Sequence, residues 1–141
     1  SRVPLLVKIA PDLSDEDVLA VADLAESIGL DGVVATNTTI SRDGLASDPA
    51  DVERVGAGGL SGAPLRERSL EVLRLLRGRL DAGTTVISVG GIGNAADAAE
   101  RLAAGADLLQ AYTAFIYEGA LWPSRVQREL VNLTSRAGAA G

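Results

Sequence analysis

The 141-residue sequence contains no cysteine and no histidine. The first absence excludes a disulfide framework and thiolate chemistry. The second excludes a Ser-His triad, an HExxH zinc site and an imidazole base. Methionine is also missing, the first position included, which reads as a processed or excised piece of a longer chain. Basic charge is in short supply: 13 basic against 19 acidic residues leave a net charge of −6 and no basic face for sequence-blind nucleic-acid binding. No run of about 18 apolar residues exists to span a membrane. The start, "SRVPLLVKIAPD", meets charge too soon for a signal peptide and has no cleavage site. Chemistry is left to lysine, carboxylates, hydroxyls, amides, backbone N–H groups or a cofactor.

What is present suffices for one domain, since 47% of the residues are apolar. Residues 5–10, "LLVKIA", read as a buried strand. Ser14 then caps a helix, with Asp17 as the acidic half of a capping box. Val18, Ala22, Ala25 and Ile28 share one face of it, and Gly29 closes it. Strand 32–36 follows, and then a long Gly, Ser, Asp and Pro-rich connection over 37–65. Helix 66–80 carries Leu70, Leu73, Leu76 and Leu80 along one stripe. Strand 85–89, a helix 95–104 capped by Asn94 and closed by Gly105, and strand 107–111 come next. A short helix at 113–118 and a final helical stretch through about 123–136 complete the reading.

The order is β-α repeated four times, with strands apolar throughout, as strands covered on both faces should be. "IGLDGVVATN" and "AGADLLQAYT" echo one another at an offset of 76 residues. Asp31 and Asp107 open the two echoed strands and read as structural. Repeated units of this length suit a TIM (β/α)8 barrel, which needs eight. The fold class is therefore α/β, with residues 1–141 as the C-terminal half of a barrel and no second domain. The alternative is a complete, small, doubly wound sheet. Either way the first and last strands are hydrophobic edges, with Lys8 the only charge inside either of them and no proline to blunt them.

In barrels chemistry gathers at the C-terminal strand ends, here "KIAPD", "ATNTT", "SVGGIG" and "QAYTAF". Gly90 and Gly91, bare backbone before a helix start, can turn N–H groups onto a phosphate, or can simply make a tight turn. The N–H groups of Tyr112 and Thr113 can join the same cradle. Lys8 lies in an apolar strand, as a snorkelling side chain or as a charge aimed into a site. Thr36, Asn37, Thr38 and Thr39 offer hydrogen bonds to a ring imide or lactam, and equally to their own turn. "GGLSGAPL", residues 58–65, is a flexible loop, a cradle or a hinge. Asp12 stands at the correct end but also suits a helix approach. Arg42 and Arg66 could meet anions, but such residues are more often solvated surface. Nothing groups into a metal site.

In this order, "VKIAPDL", "TNTT", "GGLSGAPL", "SVGGI" and "QAYTAF" resemble the class 2, quinone-reducing branch of the dihydroorotate dehydrogenases, flavin enzymes of pyrimidine (UMP) synthesis. The resemblance runs from about residue 3 to about residue 131. It implies a barrel holding FMN, with Lys8 and Thr36 contacting the flavin and Asn37 and Thr38 binding the dihydroorotate or orotate ring. Gly62, Gly91, Tyr112 and Thr113 would hold the FMN, the last three around its phosphate, with Gly90 beside them and Ser61 as a further candidate. It implies oxidation of dihydroorotate with electrons passed through FMN to a quinone, at the cytoplasmic face of the cell membrane.

The family's catalytic base is a serine from an earlier part of the barrel, so no catalytic residue is assigned to this chain. An N-terminal barrel half is then an expected partner, and the chain alone is expected not to turn over. Three other readings stand beside this one. They are a non-catalytic phosphate-binding half-barrel, two copies pairing through their strand edges, and another FMN-binding barrel oxidoreductase.

Overall fold

Four short apolar runs become strands: β1 (Leu6–Ile9), β2 (Gly32–Ala35), β3 (Thr85–Val89) and β4 (Leu108–Gln110). A computed structural model, which describes residues 2–139, sets them in one parallel sheet ordered β1-β2-β3-β4. Of the expected span 1–141, residues 1, 140 and 141 lie outside the described residues. The helices are α1 (Asp15–Ile28), α2 (Pro49–Val55), α3 (Arg66–Arg79), α4 (Ala95–Ala103), α5 (Thr113–Glu118) and α6 (Trp122–Ala139). Strictly sequential order excludes the doubly wound alternative, which reverses strand order at a switch point. Right-handed crossovers then lay the connecting helices against one face of the sheet. This is half of a β/α barrel.

Strand register decides which residues those helices cover. Val7, Val33 and Val86 lie opposite one another. Val33 and Val86 are fully buried with Leu70, Leu73 and Leu76 of α3 and with Val18, Ala22 and Ala25 of α1. Burying one such leucine is worth about 1.5–3 kcal/mol. Successive strand residues alternate between faces, so the neighbouring row, Lys8, Val34, Ile87 and Leu108, belongs to the other side. Lys8 is exposed there and Leu108 is 57% exposed. The expectation of strands covered on both faces holds for β2, whose residues are all buried, and is corrected at the sheet's two outer strands. The apolar runs are written for two apolar environments, and the helices of this chain supply one of them.

Local signals set most boundaries. The Ser14 hydroxyl oxygen accepts the Asp17 N–H at 3.1 Å, and the hydroxyl donates to the Asp17 carboxylate at 2.8 Å. The Asn94 side-chain oxygen accepts the Asp97 N–H at 3.0 Å. Ile28 departs from the expected stripe and is 62% exposed. The helix ends at that residue, and Leu30, beyond the turn, packs against the core in its place.

The connection 37–65 is more ordered than its composition indicates. It contains α2, capped by Asp48, and a 3-10 turn over Ala63–Leu65. Thr39 and Leu60 exchange both backbone hydrogen bonds, at 3.1 and 2.8 Å. Arg42 is not solvated surface: it donates to the carbonyls of Ile40 at 3.2 Å and Ser41 at 3.1 Å, and to that of Gly58. Asp12 accepts the Thr39 hydroxyl and, at 3.3 Å, the Ile40 N–H, so it anchors the loop.

Candidate functional site

The C-terminal ends of the four strands open into one cavity of about 700 Å³. Lys8 reaches it from β1, and Thr36, Asn37 and Thr38 from the end of β2. Ser61 and Gly62 come from the loop before α3, Gly90 and Gly91 from the end of β3, and Tyr112 and Thr113 from the end of β4. All ten residues singled out in the sequence therefore converge on a single hollow. Its size falls within the range of small-molecule and cofactor sites, about 300–1,000 Å³.

The backbone fixes the polar groups around that hollow. The Thr36 N–H donates to the Val89 carbonyl at 2.8 Å and the Asn37 N–H to that of Ile9 at 2.7 Å, tying both residues to the strand ends on either side. The peptide bond between Ala35 and Thr36 is cis. The Asn37 side-chain oxygen accepts the Thr38 N–H at 2.8 Å. Its amide NH2 remains to donate to a ligand, and the oxygen keeps one further lone pair. Thr36 is 2% exposed, and its hydroxyl oxygen is buried without a hydrogen-bond partner.

The glycine pair answers to its own chain first. Gly91 has φ +72°, and a Cβ there would lie 2.5 Å from the backbone N and Cα of Arg66. The side-chain position of Gly91 is thus closed by the start of α3 rather than left open for a ligand. What faces outward is main-chain N–H: neither Gly91 nor Ile92 donates to a protein acceptor among the described residues. Thr113 begins α5, whose first N–H groups have no helical acceptor and no side-chain cap. The loop carrying Ser61 and Gly62 is fastened over this region. The Thr113 hydroxyl donates to Ser61 Oγ at 2.9 Å, and a Cβ on Gly62 would lie 2.9 Å from Thr113 Cγ2.

Three groups behind the turn escaped sequence reading. Asp97 lines the cavity, accepts the Gly93 N–H at 2.9 Å and pairs with Arg66 at 2.7 Å. Arg66 is thus an ion-pair partner at the rim of the site, not merely solvated surface. The buried Trp122 indole donates to the Gly93 carbonyl at 3.1 Å. Arg101, 1% exposed, donates to the carbonyls of Gly90 at 3.0 Å and Arg66 at 2.6 Å and to Ser88 Oγ at 3.2 Å. An alanine-rich helix gives no local sign that its arginine turns inward.

The unpartnered main-chain donors fit an anion such as a phosphate. The orphaned Thr36 hydroxyl and the Lys8 ammonium fit a polar ring system beside it. No groups of three or more acidic residues suited to a metal ion occur among the described residues. No helix among them is long and apolar enough to cross a membrane.

Comparison with known proteins shows the family and the fold. The profile of the family described as dihydroorotate dehydrogenase matches residues 1–133. A dihydroorotate dehydrogenase (quinone) from Nocardioides sp. is 66% identical over 128 residues, covering 91% of this chain and 36% of that protein. The protein of the same name from Thermobifida fusca is 60% identical over 136 residues, 96% of this chain and 36% of its own length. A crystal structure of DHODH from Eimeria tenella in complex with ferulenol superposes with a TM-score of 0.89 at 40% identity, covering 98% of this chain and 36% of that one. The chain thus spans little more than a third of the length of these relatives.

Proposed function

The chain belongs to the dihydroorotate dehydrogenase family, and from that premise we propose that it forms the C-terminal half of the FMN-binding barrel of a quinone-dependent dihydroorotate dehydrogenase. The convergence of Lys8, Asn37, Gly91 and Thr113 on one cavity carries this reading. Bound there, FMN would supply the two-electron acceptor chemistry that oxidation of dihydroorotate to orotate and delivery of electrons to a quinone require.

The residues of this chain bind and orient. The N–H groups of Gly91, Ile92, Tyr112 and Thr113 would hold the phosphate, with Gly62, Gly90 and Ser61 shaping its surroundings. The Thr36 hydroxyl and the Lys8 ammonium would meet the ring system, where a cation would favour negative charge on it. Asn37 and Thr38 hold the dihydroorotate ring, Asn37 through its free amide NH2, which fixes the reacting carbons relative to the acceptor. No serine here is assigned the proton-abstracting role. That group belongs to the other half of the barrel, which would also close on the exposed Lys8 and Leu108 at the ends of their row and on the free edges of β1 and β4. A location at the cytoplasmic membrane surface rests on the quinone alone.

The test is orotate binding to the flavin-loaded, full-length enzyme, followed through the flavin absorbance. Asn37→Ala is expected to weaken orotate about 100-fold while leaving FMN bound, as loss of hydrogen bonds to a charged ring predicts. Unchanged orotate affinity in that variant removes the substrate from this site. The chain on its own is expected to show no dihydroorotate oxidation, and enzyme-like rates from it would refute the division of labour.

A further inference from the structure

Arg101 sits behind the turn that borders the cavity, and it touches none of the space in front. Its guanidinium joins three elements at once: the Gly90 carbonyl after β3, the Arg66 carbonyl in the first turn of α3, and Ser88 Oγ on β3. The Gly90 carbonyl accepts a second bond, from Ser69 Oγ at 2.8 Å. No carboxylate lies within 4.0 Å of Arg101 among the described residues, although Asp97 and Glu100 are near enough to favour its charge. Burial pulls its pKa down from the ordinary value, but an arginine stays protonated at neutral pH. A buried cation solvated by two carbonyls and a hydroxyl is an expensive choice for mere packing.

The geometry of one peptide plane shows what it does. In a trans peptide the C=O of one residue and the N–H of the next point in opposite directions. Arg101 and Ser69 hold the Gly90 C=O towards the interior, so the Gly91 N–H must point the other way, to the cavity side, where it has no protein acceptor. The second Arg101 bond holds the backbone of Arg66, the segment that closes the side-chain position of Gly91.

We propose that Arg101 is a positioning residue for the phosphate subsite: it orients the Gly90–Gly91 peptide so that its N–H meets the phosphate, and it adds a fixed positive charge behind that bond. This rests on the reading that the cavity holds FMN. A charge-assisted interaction of this kind corresponds to about 10- to 100-fold in affinity.

The test compares FMN with riboflavin, which has the same ring and no phosphate, by flavin fluorescence quenching on the full-length enzyme proposed above. Wild type is expected to prefer FMN strongly. Arg101→Met is expected to lose about 10- to 100-fold of that preference while binding riboflavin as wild type does. Arg101→Lys, which keeps the charge on a single donor nitrogen, is expected to retain most of it. If wild type does not discriminate the two flavins, the phosphate reading itself fails. If wild type discriminates and a folded Arg101→Met discriminates equally, the role of Arg101 alone is overturned. Should Arg101→Met not fold, Arg101→Gln, which keeps a donor and removes the charge, decides: a preference for FMN over riboflavin equal to that of wild type overturns the proposal.

Discussion

Asp107 closes a two-way hydrogen-bonded pair with Val86: its carboxylate accepts the Val86 N–H at 2.7 Å while its own N–H donates to the Val86 carbonyl at 2.9 Å. Asp31 makes the same pair with Leu5, at 2.7 and 3.0 Å. Each aspartate is also bridged by an arginine, Arg77 at 3.3 Å and Arg2 at 2.9 Å. The echo between the two stretches of sequence is therefore an echo of bonding. Each Gly-x-Asp unit uses the carboxylate that opens one strand to secure the start of the strand before it.

The two copies differ in burial, and that predicts different costs. Val86 is fully buried, so Asp107→Ala leaves an amide without a partner and is expected to cost about 1–3 kcal/mol in urea denaturation. Leu5 is exposed, and water replaces the lost acceptor, so Asp31→Ala is expected to cost less. Equal losses would mean that the arginine bridges, not the amide bonds, dominate.

Three carboxylates at this end and along the helices set the acid stability. Hydrogen bonds from Arg79 to Asp23, from the Thr84 hydroxyl and the Asp81 N–H to Glu26, and from the Leu5 N–H and Arg2 to Asp31 hold all three below the usual carboxylate range. A depressed folded pKa stabilises fully above the unfolded value, and the contribution is lost as pH falls through the folded one. The melting temperature is thus expected to hold near neutrality and to drop below about pH 5. Glu26→Gln should make that drop shallower, and a slope identical to wild type would exclude Glu26 from it.

How far the sequence discloses this depends on whether the cause is local. Thr85–Val89 and Thr113–Glu118 match their anticipated bounds because an apolar run and a helix start carry their signals within a few residues. Helix α2 was missed because none of its residues is buried, so no apolar period marks it, although Asp48 and Pro49 spell out its start. Eight of the ten cavity residues were legible because strand ends of a barrel share one rim, while Ser61 and Gly62, on the loop before α3, came from the family resemblance. The work of Arg101, and the pressure of Arg66 on Gly91, join positions 35 and 25 residues apart and leave no mark on the neighbouring sequence.

That pressure separates two glycines with similar backbone angles. Gly29 has φ +67° with nothing within 4 Å of where a methyl would stand, so Gly29→Ala bears only the left-handed penalty, about 1–2 kcal/mol. Gly91→Ala bears that penalty and a clash with the Arg66 backbone. It is expected to cost at least about 3 kcal/mol, or to shift α3 away from the turn and lose FMN. Chemical denaturation of the pair distinguishes them, and matching losses would mean that the turn yields without cost.

Thr36 offers the sharpest division between fold and function. Its hydroxyl oxygen is buried with no partner, a position that costs about 1–3 kcal/mol and returns nothing to the fold. Thr36→Val keeps the shape and removes the hydroxyl, so the flavin-free protein is expected to melt at the same temperature or higher. If the hydroxyl instead serves the bound ring system, the same change lowers FMN affinity about tenfold, as loss of one buried hydrogen bond predicts. A hydroxyl kept for structure gives the reverse pattern: a lower melting temperature with FMN affinity intact. Stability and affinity moving in opposite directions at one atom is the signature of a group retained for what it binds.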